Sequence, residues 1–267
     1  MHSAVVMDCS VLIFQEKNEL SAVSLPDSVD KLGENAFSDC TMIQSFHMPP
    51  QVTEVDLSSF DDTRIISLEL PTCTKSIRGK RNHPFFSRTG LESLRNVAFP
   101  LDCSLDYGIL DRCPDLQRAF SGEEDNSVVA EALEHRFDDL PIHKICYYQS
   151  YHDSQTVLTN LRREINTWNT KFPGQLNVTG KQQDCLGMSP LHILACSTKH
   201  DIAMFRLLVD KYPGTLIMKD KWGDIPLLYA LWCNAPADIM SFLVESYKSI
   251  YPEYVFDWAG MVTTLGE

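Results

Sequence analysis

Two histidines stand close to cysteines in this chain, His143 with Cys146 and His192 with Cys196. A thiol beside an imidazole base is the arrangement a cysteine nucleophile uses, and histidine with cysteine is also a zinc donor set. The surroundings support neither chemistry. No HExxH or similarly spaced set lies around either histidine, and the nine cysteines include no CxxC pair. The GxSxG elbow, the GxGxxG fingerprint and the GxxxxGK[ST] loop are absent as well. Cys146 and Cys196 fall among apolar residues of helical segments, where a thiol is buried and inert. The reading is therefore no catalytic residue, no metal ligand, no cofactor and no enzyme activity.

Residues suited to binding are easier to find. Lys75, Arg78, Lys80 and Arg81, with His83, form a basic cluster in a chain whose formal net charge is -13 and whose pI is about 5.0. That cluster is a candidate nuclear-import signal or clamp for an acidic segment, against the plainer reading of a solvated loop. Tyr147, Tyr148 and Tyr151, and the run Lys219, Lys221 and Trp222, combine aromatic and cationic side chains of the kind enriched at interface hot spots. The acidic balance argues against nucleic acid and anionic lipid as partners, which leaves protein. No apolar run approaches the roughly 18 residues of a transmembrane helix. Met1 to Phe14 has no basic leader, so the reading places the chain inside the cell, in the cytoplasm, with nuclear entry left to the basic loop 75–83. Asn177-Val-Thr179 fits a glycosylation sequon and, without a secretion signal, is discounted.

Two internal periods must position these residues. Apolar-Pro pairs recur at Leu25-Pro26, Met48-Pro49, Leu70-Pro71 and Phe99-Pro100, at steps of 23, 22 and 29. Phe14, Phe37 and Phe60 keep a step of 23, as do Leu20, Ile43 and Ile66. Repetition at several chemical positions signals a solenoid, and stacking places Phe37 and Phe60 one above the other. Within a unit the apolar spacing changes from threes to twos, a turn feeding a short strand. Leu110, Cys113 and Leu116 repeat the spacing of Phe37, Cys40 and Ile43. An insertion runs from about Thr74 to Arg88.

After the small acidic run 121–127 the spacing becomes helical. Asp184-Cys-Leu-Gly187-Met-Ser-Pro190-Leu191-His192 is echoed 36 residues later by Asp220-Lys-Trp-Gly223-Asp-Ile-Pro226-Leu227-Leu228. A degenerate copy, Leu140-Pro141-Ile142-His143, lies upstream. Asp and Gly shape a turn, Ser189 can cap a helix, and Pro190 suits the first helical position, where an N–H is not needed. Second helices are expected over 156–170, 201–211 and 237–249, closed by Phe172-Pro173, Tyr212-Pro213 and Tyr251-Pro252.

The unit Leu25-Pro-Asp-Ser-Val29, Leu32-Gly33, Ala36-Phe37, Cys40 and Ile43 resembles the BspA-like class of leucine-rich repeat almost position for position. The later units resemble ankyrin repeats, with Leu207-Leu208 supplying the pair of the second helix. The order of the two is similar to that of an uncharacterised eukaryotic repeat-protein family. The resemblance implies an α+β repeat protein: leucine-rich repeats with short parallel strands over 9–120, an acidic linker at 121–127, an ankyrin-like stack of helical hairpins over 128–256, and a tail from 257. It implies that His143 and His192 bridge neighbouring units. It also implies a monomeric adaptor or scaffold that binds a protein ligand on the repeat surface. The alternative is a regulatory or targeting subunit that docks an acidic or phosphorylated segment through 75–83.

Overall fold

The computed structural model describes residues 23–79, 91–120, 125–171, 182–253 and 255. The chain divides into two compact units, Met1–His135 and Arg136–Glu267.

The first unit is a coil of short parallel strands. One sheet is formed by β1 (Lys31–Leu32), β3 (Glu54–Asp56), β5 (Ser76–Arg78) and β7 (Ser104–Leu105), in that order; the other by β2 (Ser45–Phe46), β4 (Ser67–Leu68) and β6 (Asn96–Val97). Lys31 is in register with Glu54, Glu54 with Ser76, and Ser76 with Ser104, so each coil spans 23, 22 and then 28 residues. Parallel pairing needs such a long return path, and here each return supplies a strand to the second sheet. Backbone bonds continue the ladder beyond the strands: Thr53 N–H donates to Asp30, Lys75 to Thr53 and Ser104 to Lys75, each at 2.8 Å. Asp39 and Asp62, 23 residues apart, both turn the chain with φ near +60°, a conformation that Asp tolerates better than a branched residue.

The expected stacking is present. The Phe37 and Phe60 rings lie 5.9 Å apart at 15°, with Phe46 wedged at 5.1 and 4.8 Å from them. All three are buried, as are Leu110, Cys113 and Leu116 in the later copy. Phe14 and most of the insertion lie outside the described residues.

Two helices end this unit, α1 (Pro114–Ala119) and α2 (Asn126–Glu134). Asp125 caps α2 by accepting from Ser127 N–H at 2.8 Å. Val129, Ala130 and Leu133 are buried, Leu133 O accepts the Phe99 N–H at 3.2 Å, and Glu134 Oε1 accepts that of Asp102. A solenoid must close its last coil, and α2 does so. The sequence reading assigned this helix to the second segment; its apolar face and carbonyls put it in the first unit.

Among the described residues the second unit holds three helix pairs: α3 (Pro141–Tyr147) with α4 (Ser154–Lys171), α5 (Pro190–Cys196) with α6 (Ile202–Lys211), and α7 (Pro226–Trp232) with α8 (Ala237–Ile250). First helices pack on first helices and second on second. Each first helix starts on proline. The turns before α5 and α7 share one design. Asp184 Oδ1 accepts the N–H groups of Leu186 and Met188, and Asp220 Oδ1 those of Trp222 and Asp224, all at 2.9 Å. Gly187 and Gly223 complete them at φ of +75° and +90°. Successive turns are joined by Lys221 N–H donating to Leu186 O at 3.2 Å.

Candidate functional site

His192 is held from both sides. Ser189 N–H donates to its Nδ1 at 3.1 Å, which makes Nδ1 an acceptor and puts the ring proton on Nε2; Nε2 then donates to Asp224 O at 3.1 Å in the next turn. The Ser189 hydroxyl also meets Nδ1, at 2.8 Å. A serine hydroxyl on an imidazole is the geometry of a nucleophile and its base. Here both side chains are fully buried, and the pair forms a capping box at the start of α5, so its chemistry is structural. His143 repeats the bridge one unit earlier, with Nε2 at 3.1 Å from Met188 O. Burial lowers the pKa of His192, and it pushes that of His143 down to about 4. Both histidines link one helix pair to the next turn within the second compact unit.

The two turn aspartates carry a pairing that the sequence did not reveal. Asp184 Oδ2 accepts Arg136 Nε at 2.9 Å and Nη2 at 2.7 Å, an ion pair with both side chains wholly buried. Asp220 Oδ2 instead accepts the Tyr229 hydroxyl at 2.5 Å. With Oδ1 occupied by the turn, each carboxylate is saturated, which is the condition for burying one. The Asp at the head of each turn was the only sequence signal; Arg136 lies 48 residues from its partner.

The two cysteines that stand near histidines in the sequence are buried. Burial raises the pKa of Cys146 and Cys196 well above the usual thiol range and that of Cys113 to about 12, and Cys196 is hydrogen-bonded to the thiol of Cys233. Among the described residues no group of three or more His, Cys, Asp or Glu side chains is placed to hold a metal ion. No helix there is long and apolar enough to cross a membrane.

The candidate binding residues separate under this geometry. Lys219 and Lys221 are exposed and Trp222 is half-buried, all in the turn before α7, so the fold brings these three together. Gln183 Nε2 steadies that turn by donating to Lys219 O at 2.7 Å. Tyr147 is fully buried against Phe137, at 5.1 Å, and Tyr148, at 4.9 Å, so its side chain belongs to the core and not to a surface. Tyr148 and Tyr151 are half-buried. In the first unit Lys75 and Arg78 are exposed at the two ends of β5, while Lys80, Arg81 and His83 lie outside the described residues. Arg78 does not stand in a purely basic field. It is in register with Asp56, and its charge acts on Glu54, which is paired with Lys31 at 2.8 Å. The sheet face alternates in sign.

The coil of strands at a 22–23-residue step, with stacked phenylalanines inside, decides what the first unit is similar to. Residues 10–117 match the BspA type leucine rich repeat region, in six copies. The BspA-type match thus covers the strands and ends within α1. Neither the curated proteins nor the solved structures contain a match to this chain.

Proposed function

We propose that this chain is a non-catalytic protein-interaction module in which BspA-type repeats are followed by an ankyrin-like stack, and that it binds a protein partner through the turn carrying Lys219, Lys221 and Trp222. Leucine-rich repeats commonly serve protein interaction, and repeat stacks offer side chains from successive turns to one ligand. The carrying observation is how the polar groups are used. His143, His192, Ser189, Asp184, Asp220 and Arg136 are consumed by bonds between or within units, whereas Lys219 and Lys221 stand exposed beside a half-buried tryptophan. Helix α5 is buried at all seven positions, so that helix presents nothing to a ligand and the turn beside it is exposed at Lys219 and Lys221. Free, largely buried cysteines fit a reducing, intracellular compartment, and the reading keeps the protein monomeric.

Affinity capture with the full chain, compared with Trp222→Ala and with Lys219→Glu/Lys221→Glu, tests it. A partner retained by the parent chain and lost from both variants, each with unchanged circular dichroism, supports the reading. A partner retained equally by all three removes the turn from it.

A further inference from the structure

In the second unit, the segments that enter the three first helices change charge in one direction. Asp138 and Asp139 lie in the turn before α3, Gln182 and Gln183 lead into the turn before α5, and Lys219 and Lys221 flank Asp220 at the turn before α7. All are exposed except Gln182, which is half-buried. Along the stack the sign runs negative, neutral, positive. The fold sets these segments side by side. Arg136, two residues before Asp138, pairs with Asp184, the residue after Gln183, at 2.7 Å. Gln183 Nε2 donates to Lys219 O at 2.7 Å, and Lys221 N–H donates to Leu186 O at 3.2 Å. The Asp220 carboxylate is turned inward: Oδ1 accepts the amides of Trp222 and Asp224, and Oδ2 the Tyr229 hydroxyl. The two lysines therefore set the outward charge there, with the half-buried Asp224 behind them. Most of the chain's acid excess lies in the first unit; the second has nearly as many basic as acidic residues, so no large net charge masks the row.

We propose that this row is a docking track for an extended segment of a partner protein that is acidic at one end and basic at the other, the acidic end over Lys219 and Lys221 and the basic end over Asp138 and Asp139. The track rests on the interaction-module reading above and adds to it the charge pattern and length of the ligand. Complementary charge fixes the register of such a segment and rejects partners that bring like charges together. Packed helices lie about 8–10 Å apart, so three neighbouring entry segments span roughly 20 Å, the length of about six extended residues. Gln182 and Gln183 ask for no charge in the middle. Trp222, half-buried beside Lys221, offers the acidic end an apolar contact.

Synthetic peptides with three glutamates at one end and three arginines at the other, separated by two or by six neutral residues, test the track by fluorescence anisotropy with the full chain at low salt. The six-residue spacer is expected to bind tighter than the two-residue spacer by about tenfold or more. Lys219→Glu/Lys221→Glu and Asp138→Lys/Asp139→Lys should each weaken that binding by about tenfold or more, with unchanged circular dichroism. The chain carrying all four changes should recover it, because the peptide can then lie the other way round. Equal binding by the parent chain and the Asp138→Lys/Asp139→Lys variant, or no binding of either peptide, would overturn the track. A protein partner still captured through Trp222 in that event would keep the turn as a binding site and remove only the two-ended ligand.

Discussion

His143 and His192 each spend a ring proton on a carbonyl of the following turn, and burial favours the neutral ring in both. The sign of the pH effect follows. Their folded pKa values lie below the ordinary 6.5, so below that pH the unfolded chain takes up protons that the folded chain refuses. Stability is full above about pH 6.5 and falls as pH drops towards about 4, by roughly 3 kcal/mol for His143 alone. Urea denaturation of the helical unit, followed at pH 7 and pH 5, should show the loss, and His143→Gln should flatten it. Asp61 works in the opposite sense in the first unit. Burial holds its pKa up to about 6 in spite of the Arg112 guanidinium, so the stability it contributes is present below about pH 3.8 and is lost as pH rises through about 6. The two histidines were legible in the sequence because the motif around them repeats. Tyr147 was not: an aromatic run reads the same whether it faces water or Phe137, and only packing distinguishes the two.

The turns and short helices give a sharper comparison between positions with the same sequence role. Gly187→Ala should cost more than Gly223→Ala. Both put a Cβ on a left-handed residue, about 1–2 kcal/mol, but only the first drives it into the backbone of the next turn. Thermal denaturation of the two variants should differ by several degrees; equal shifts would show that the turns are not in contact. The Arg136–Asp184 pair makes a related test, since Asp184→Asn strands a buried guanidinium, and a loss of about 3–5 kcal/mol is expected by chemical denaturation. In the strand unit Phe60→Ala should cost a similar amount, about 3–5 kcal/mol, because Phe37 and Phe46 both rest on that ring. The elements themselves were readable because each recurs. Apolar-Pro pairs 22–23 residues apart mark the coils, and proline opens each first helix. The boundary drawn at the acidic run 121–127 left most of α2 in the second segment, because nothing in a short acidic run says which core the next helix covers. Its role is visible only in Leu133 O accepting the Phe99 amide.

For the whole molecule, the two units use opposite means to the same end. The strand unit is bound along its length by backbone ladders, the helical unit by side chains that reach from one pair to the next. Replacing Leu133 with Asp should therefore open the last coil of the first unit, seen as faster hydrogen exchange at the Phe99 amide, by about tenfold or more if local opening sets the rate. The buried α5 has a consequence for variation. A helix with all seven side chains out of water has no position at which a change can alter recognition without first altering the fold. Chains built on this plan that part company in what they hold should do so at residues like Lys219, Lys221 and Trp222, while the helix behind them stays the same. A selection library aimed at a new ligand would waste every codon spent on Pro190–Cys196 and should be written into the loops instead.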